Sequence, residues 1–125
     1  MDYTHSPPFR LLHTAVIGAG GQVLVRPADA SSDADSKYAP FNQLFIQNFD
    51  GQPLEIEYGL GRRIRIPGGL SMGINQPGID QIRIINVGVA ATSQPIEIIW
   101  QLRPSTEDIM LAMYMRIPLT DAMRR

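Results

Sequence analysis

The stretch YGLGRRIRIPGG, residues 58 to 69, concentrates glycine and arginine as a phosphate-gripping loop would. Arg62, Arg63 and Arg65 follow closely on Gly59 and Gly61. A P-loop needs G-x-x-x-x-G-K-[ST], and the dinucleotide fingerprint needs a third glycine where this chain has Ile64. Neither pattern is met, and a hairpin accounts for the residues instead. With Gly59–Leu60–Gly61 as its loop, Glu57 faces Arg63, Glu55 faces Arg65, Ile56 faces Ile64 and Leu54 faces Ile66. One face is then apolar, and the other carries two opposite-charge pairs, each worth about 0.2–1 kcal/mol. A slip of one residue would set charges against isoleucines, so the register is well specified. Gly61 supplies the positive φ of a three-residue loop. Arg62 is left at the turn, free to meet an acidic partner.

Other residues invite chemistry and fall short of it. Glu55 and Glu57 share a strand face, as a glycosidase pair would. Each already has an arginine partner across the hairpin, which argues against a general acid. His5 and His13 have no metal-ligand spacing and no cysteine beside them, so no zinc site is expected; His13 is expected at a strand surface. The run DASSDADS carries Asp29, Asp33 and Asp35, and hard cations favour carboxylate oxygen. It lacks the glycine and closing glutamate of an EF-hand, and reads as a solvated or partner-contacting loop. No serine lies in a G-x-S-x-G elbow. Trp100, Tyr58, Tyr38 and Phe41 would make a sugar-binding platform if exposed, whereas Ile98, Ile99 and Leu102 around Trp100 point to the core. No catalytic constellation, cofactor or metal is expected.

These residues sit in a pattern of short strands. LLHTAVI (11–17) and QVLVRP (22–27), broken by GAGG, read as a hairpin or two neighbouring strands. A long polar loop (28–40) precedes FNQLFIQNF (41–49), and Asp50-Gly51 is a strong turn signal. LEIEY (54–58) and RRIRI (62–66) alternate strictly. PGGLSMGINQPG (67–78) reads as a glycine- and proline-rich connection. IDQIRIINV (79–87) and IEIIWQL (96–102) are apolar strands; pairing residue 82 with 98 sets Arg83 against Glu97. Seven or eight short antiparallel strands at this spacing predict an all-β chain, a jelly-roll-like β-sandwich.

The tail departs from this pattern. In PSTEDIMLAMYMRIP (104–118), Ser105 and Asp108 form a capping box, and Glu107 and Asp108 lie where the helix dipole favours negative charge. Ile109, Met110, Met113 and Ile117 fall near one stripe, and Pro118 stops the helix. A β-continuation over IMLAMYMRI is the alternative. The methionines offer a soft, adaptable surface, which either covers an open end of the sandwich or docks on a neighbouring chain. The expected organisation is an N-terminal arm (1–10), a sandwich domain (11–103) and a C-terminal helix or tail (104–125).

Composition narrows the function. The chain has 125 residues, 44% of them hydrophobic, and a formal net charge of -1. That fits one folded domain and gives no general pull toward nucleic acid or an anionic membrane. No transmembrane helix is expected, and the polar, proline-bearing N-terminus lacks the apolar core of a signal peptide. Without cysteine there are no disulfides or thiolate metal sites. Ten arginines stand against one lysine, Lys37. Arginine suits bidentate pairs at interfaces, and a GC-rich genome gives the same bias.

The arm MDYTHSPPF, the block FNQLFIQNFDGQPLEIEYGLGRRIRIPGG and the lack of cysteine resemble the small β-sandwich decoration, or cement, proteins and related minor virion proteins of double-stranded DNA bacteriophages. The likeness covers most of the chain at the level of architecture and rests on no signature residue. It implies a non-enzymatic structural protein of the virion, a trimer or dimer seated on the capsid lattice and holding major capsid subunits together. The arm would add a tethered second contact. Tyr3, Pro7, Pro8, Phe9, Arg62, Met110, Met113 and Tyr114 are the expected partner contacts. A carbohydrate- or receptor-binding β-module, or another tail- or portal-associated component, is the alternative.

Overall fold

The computed structural model describes residues 4–59 and 61–123, apart from the side chains of residues 35 and 36. Eight strands form: β1 Phe9–His13, β2 Gln22–Val25, β3 Phe41–Asn48, β4 Leu54–Gly59, β5 Arg62–Ile66, β6 Ser71–Ile79, β7 Ile82–Asn86 and β8 Ile96–Gln101. They make two four-stranded antiparallel sheets, in the orders β1-β8-β3-β6 and β2-β7-β4-β5. This interleaving is that of a jelly roll, two Greek keys folded face to face. No helix among the described residues is long and apolar enough to cross a membrane.

Strand alternation builds the core. Leu44 and Ile46, Leu54 and Ile56, Ile82 and Ile84, and Ile96, Ile98 and Trp100 point inward and are buried. Sheets packed face to face stand about 10 Å apart, and these side chains fill that layer. Trp100 is fully buried and its Nε1 donates to nothing, so the indole is a core residue and no sugar platform. Phe41 is buried as well, in edge contact with Phe9, which also packs on Tyr38.

The β4–β5 hairpin keeps the expected register from Leu54↔Ile66 to Glu57↔Arg63, then shifts at Tyr58 so that Gly59 opposes Arg62. Gly61 has φ of 73°. Arg63 pairs with Glu57 at 2.9 Å and stands 3.9 Å from Glu55, while Arg83 reaches Glu57 from the other side at 3.9 Å. Arg65, across from Glu55, makes no ion pair among the described residues.

Several expectations are corrected. β7 and β8 do not pair: β7 lies between β2 and β4, and β8 between β1 and β3. Arg83 therefore pairs with Glu57, and Glu97 with Arg10 at 2.5 Å. β1 and β2 likewise belong to opposite sheets, and Asp50-Gly51 ends no hairpin, because β3 and β4 do too. The supposed connection 67–78 contains β6, which pairs along β3. Its inward Met72 and Ile74 were masked by Gly73, Pro77 and Gly78. His13 faces inward with Nε2 buried and unpartnered, because β1 turns Phe9, Leu11 and His13 toward the core.

The tail is helical. α1, Thr106–Met115, starts with the Ser105–Asp108 capping box and ends at Arg116 in the left-handed conformation, φ 54°. α2, Leu119–Met123, follows and buries Ala122 and Met123. α1 itself buries nothing.

Two substitutions test this division between core and surface in urea unfolding. Ile84→Ala empties the centre of the β2-β7-β4-β5 sheet and is expected to cost about 3 kcal/mol. Arg65→Ala is expected to change stability by less than about 0.5 kcal/mol.

Candidate interaction face

Four connections meet at one end of the sandwich: 14–21, 49–53, 67–70 and 87–95. Each crosses from one sheet to the other, so its backbone polar groups leave the strand ladders and must pair elsewhere. Four buried polar side chains do this. Asn48, fully buried, donates through Nδ2 to the carbonyl of Gln52 at 2.8 Å and, more weakly, to those of Ile66 and Pro67. Its Oδ1 accepts from the N–H of Asp50 at 3.0 Å. Asn86, also fully buried, donates to the carbonyls of Ile17 at 2.9 Å and Ala90 at 2.8 Å, and accepts from the Gly88 N–H.

Asp50 is the hub. Its carboxylate accepts from the N–H groups of Gln52 at 2.9 Å, Ser93 at 2.5 Å and Gln94 at 2.7 Å. Burial alone would raise its proton affinity. The N–H groups of Gln52, Gln94 and Ser93, with the Ser93 hydroxyl, outweigh burial and hold the carboxyl below its ordinary value. Thr92 completes the knot: its Oγ1 accepts from the Ile17 N–H at 2.9 Å, and its own N–H donates to the Ile17 carbonyl. The Gln52 side chain accepts from the N–H groups of Val89 and Ala90. All four loops are thereby tied together. Gly68 allows a close approach of two loop backbones, since a Cβ there would meet the Gly51 backbone.

What these loops present to water is uncharged, with a large apolar side chain on each. Each displays one exposed aliphatic or aromatic side chain: Val16 (70% exposed), Phe49, Leu70 and Val89 (97%). Asp50 is the one ionisable residue in the four segments, and it is buried and satisfied. Charge collects at the opposite end. Arg26, Asp29, Asp33 and Lys37 lie in the β2–β3 connection, Arg62 at the β4–β5 turn and Asp80 at the β6–β7 turn, with Arg103, Glu107, Asp108 and Arg116 in the tail.

The expected partner contacts that fall among the described residues belong to that charged end. Tyr3 lies outside the described residues. Pro7 and Pro8 are exposed beside Ser6, whose N–H and hydroxyl pin the arm to Leu102. Phe9 is half-buried in β1. Arg62 is exposed at the hairpin turn, and Met110, Met113 and Tyr114 are exposed on α1. The arm and α1 lie at the same end, while the uncharged loop end went unread. A signal for it existed. Asn48 continues the inward phase of Leu44 and Ile46, and Asn86 that of Ile82 and Ile84, so each is a polar residue where alternation demands an apolar one.

A groove of about 410 Å³ runs between the β4–β5 turn and the start of β7, with Glu57, Tyr58, Asp80 and Arg83 in its wall. Glu57 there is held by Arg63 and Arg83. No cluster of three or more metal-ligating side chains occurs among the described residues.

No family model and no curated relative matches the chain. Among solved structures it is similar to PirA, at 13% identity over 80% of this chain and 99% of that one, with a TM-score of 0.50. A de novo designed double-stranded β-helix matches at 21% identity, 77% and 99% coverage and a TM-score of 0.41. The coat protein of Tobacco streak virus matches at 8% identity, 78% and 88% coverage and a TM-score of 0.33. The likeness to PirA is one of fold, and the two lower scores add nothing to it. None of the three is specific to bacteriophages.

Asp50→Asn sets an NH2 group against backbone donors and is expected to cost about 2 kcal/mol at pH 7. The lowered carboxyl gives the wild type stability that is full above the ordinary carboxylate value and is lost as pH falls through the lower folded value. The gap in melting temperature between wild type and variant should therefore narrow below about pH 4. Thermal melts of both proteins from pH 7 to pH 3 check this.

Proposed function

We propose that this chain is a structural protein of a virion, a decoration subunit that seats its uncharged loop end on neighbouring capsid subunits. The observation that carries the reading is the pairing of rigidity with apolarity at that end. Loops cross-linked by Asn48, Asp50, Asn86 and Thr92 present Val16, Phe49, Leu70 and Val89 to solvent. Apolar area removed from water contributes about 25 cal/mol per Å². A face that is ordered before contact loses little conformational entropy on docking.

The function so proposed is physical and non-catalytic. Binding to the assembled lattice, and not to free subunits, stabilises the lattice by mass action. At the far end, the arm with Pro7 and Pro8 and the exposed Met110, Met113 and Tyr114 of α1 offer a second contact, to another copy of the chain as a trimer or dimer. Two contacts on one subunit give avidity beyond either alone. A sugar-binding role through Trp100 and Phe41 is not pursued, since both rings are buried.

Co-sedimentation with purified capsids of the encoding virus tests the proposal. Wild type should pellet with the capsids at saturating stoichiometry. Val89→Asp, at a fully exposed position, should keep the melting temperature and bind at least about tenfold more weakly, since it buries an unpaired charge in the contact. Equal pelleting of wild type and Val89→Asp, or absence of wild type from the pellet, refutes the assignment of this face.

A further inference from the structure

The outer face of the β1-β8-β3-β6 sheet carries a feature that lattice docking at the loop end does not use. Across β8, β3 and β6, Gln101, Gln43 and Asn75 stand side by side in one row. The next row holds Ile99, Phe45 and Gly73. Phe45 is an aromatic ring on a solvent-facing sheet, 40% exposed. Beside it Gly73 leaves open space: a Cβ there would meet nothing within 4 Å. The result is a groove of about 190 Å³, walled by the ring on one side and floored by the glycine.

The amides of this groove are uncommitted among the described residues, a state they share with Gln22, Gln47, Gln76, Gln81 and Gln94. Asn42, Asn48, Gln52 and Asn86 all spend their side chains on backbone groups. Gln43, Asn75 and Gln101 make no side-chain hydrogen bond among the described residues. Each offers both donors and an acceptor without charge. The nearest ions, Arg10 and Glu97, neutralise one another at the rim. The site thus has no attraction for phosphate or carboxylate. It also lies on a sheet face whose backbone is paired in the ladders, so an extended peptide finds no main-chain partners there.

An apolar wall beside neutral donor–acceptor groups matches one ligand chemistry, a ring with an apolar C–H face and hydroxyls at its edge. We propose that the Phe45–Gly73 groove is a binding site for a neutral pyranose sugar. The C–H face of the sugar lies against Phe45, in the space that Gly73 leaves, and its hydroxyls exchange hydrogen bonds with Gln43, Asn75 and Gln101. The site is shallow, so affinity is of about millimolar strength per copy. Display in several copies would raise it by avidity.

The test is saturation-transfer NMR of the full chain with methyl glucoside, methyl galactoside, N-acetylglucosamine and maltotriose, with amide-shift titrations of any sugar that responds. At least one of these should bind, with shifts centred on residues 43–45, 73–75 and 99–101. Phe45→Ala should weaken it about tenfold. Gly73→Leu fills the open space with no backbone in its way and should abolish binding at an unchanged melting temperature. Val89→Asp should bind the sugar as wild type does, which separates this site from the docking face. Absence of saturation transfer from all four sugars overturns the proposal, as does binding that survives both groove variants.

Discussion

Four chain crossings between two sheets at one end of the sandwich are the constraint on which the rest of the structure depends. A jelly roll sends β1 to β2, β3 to β4, β5 to β6 and β7 to β8 across the gap between layers. The backbone that makes those crossings cannot pair in a ladder, and where it passes over the core it cannot pair with water. Asn48 and Asn86 resolve the conflict by carrying polar atoms into the layer where their strands otherwise place isoleucine and leucine, and Asp50 and Thr92 do so from the buried parts of the loops. Removing any of them strands a donor or acceptor in a dry place, where it costs more than a lost surface contact. The apolar tips are a second consequence. With the buried polar groups of the loops satisfied inside, the side chains left to face water carry no charge.

Local signals were legible and non-local ones were not. The β4–β5 hairpin is adjacent in sequence and strictly alternating, so its cross-strand partners followed from Leu54↔Ile66 to Glu57↔Arg63, short of the bulge at Tyr58. α1 was visible because Ser105 and Asp108 form a cap whose geometry is local. The partners of β7 and β8 lie some 25 to 90 residues away in sequence, and adjacency in the chain suggested a pairing that the sheet order forbids. β6 was hidden by composition. Gly73, Pro77 and Gly78 weaken a strand taken alone, and pairing along β3 overrides that weakness. The loop end was unread because each apolar tip is a single residue among glycines. Only the folded topology gathers Val16, Phe49, Leu70 and Val89 onto one surface.

The two ends of the molecule are therefore built on different principles. At the uncharged end, order comes from hydrogen bonds that are shielded from solvent and from salt. At the other, α1 has no buried residue and ten residues in all. A helix of that length is marginal in water by itself, and it is secured through its cap and its contact with α2. One end is rigid before it meets anything. The other holds its apolar methionines on a support that can adjust, a character the methionine side chain shares.

The sheets end in four edge strands, β1 and β6 on one, β2 and β5 on the other. Exposed edges invite pairing with the edges of other molecules. Each edge here carries an obstacle. Pro7 and Pro8 precede β1, and Pro77 removes a donor from β6. β2 is four residues long and is followed by Arg26 and Pro27, and β5 bears Arg62, Arg63 and Arg65. The glycines and proline that disguise β6 as a loop thus also deny it to a neighbour's backbone.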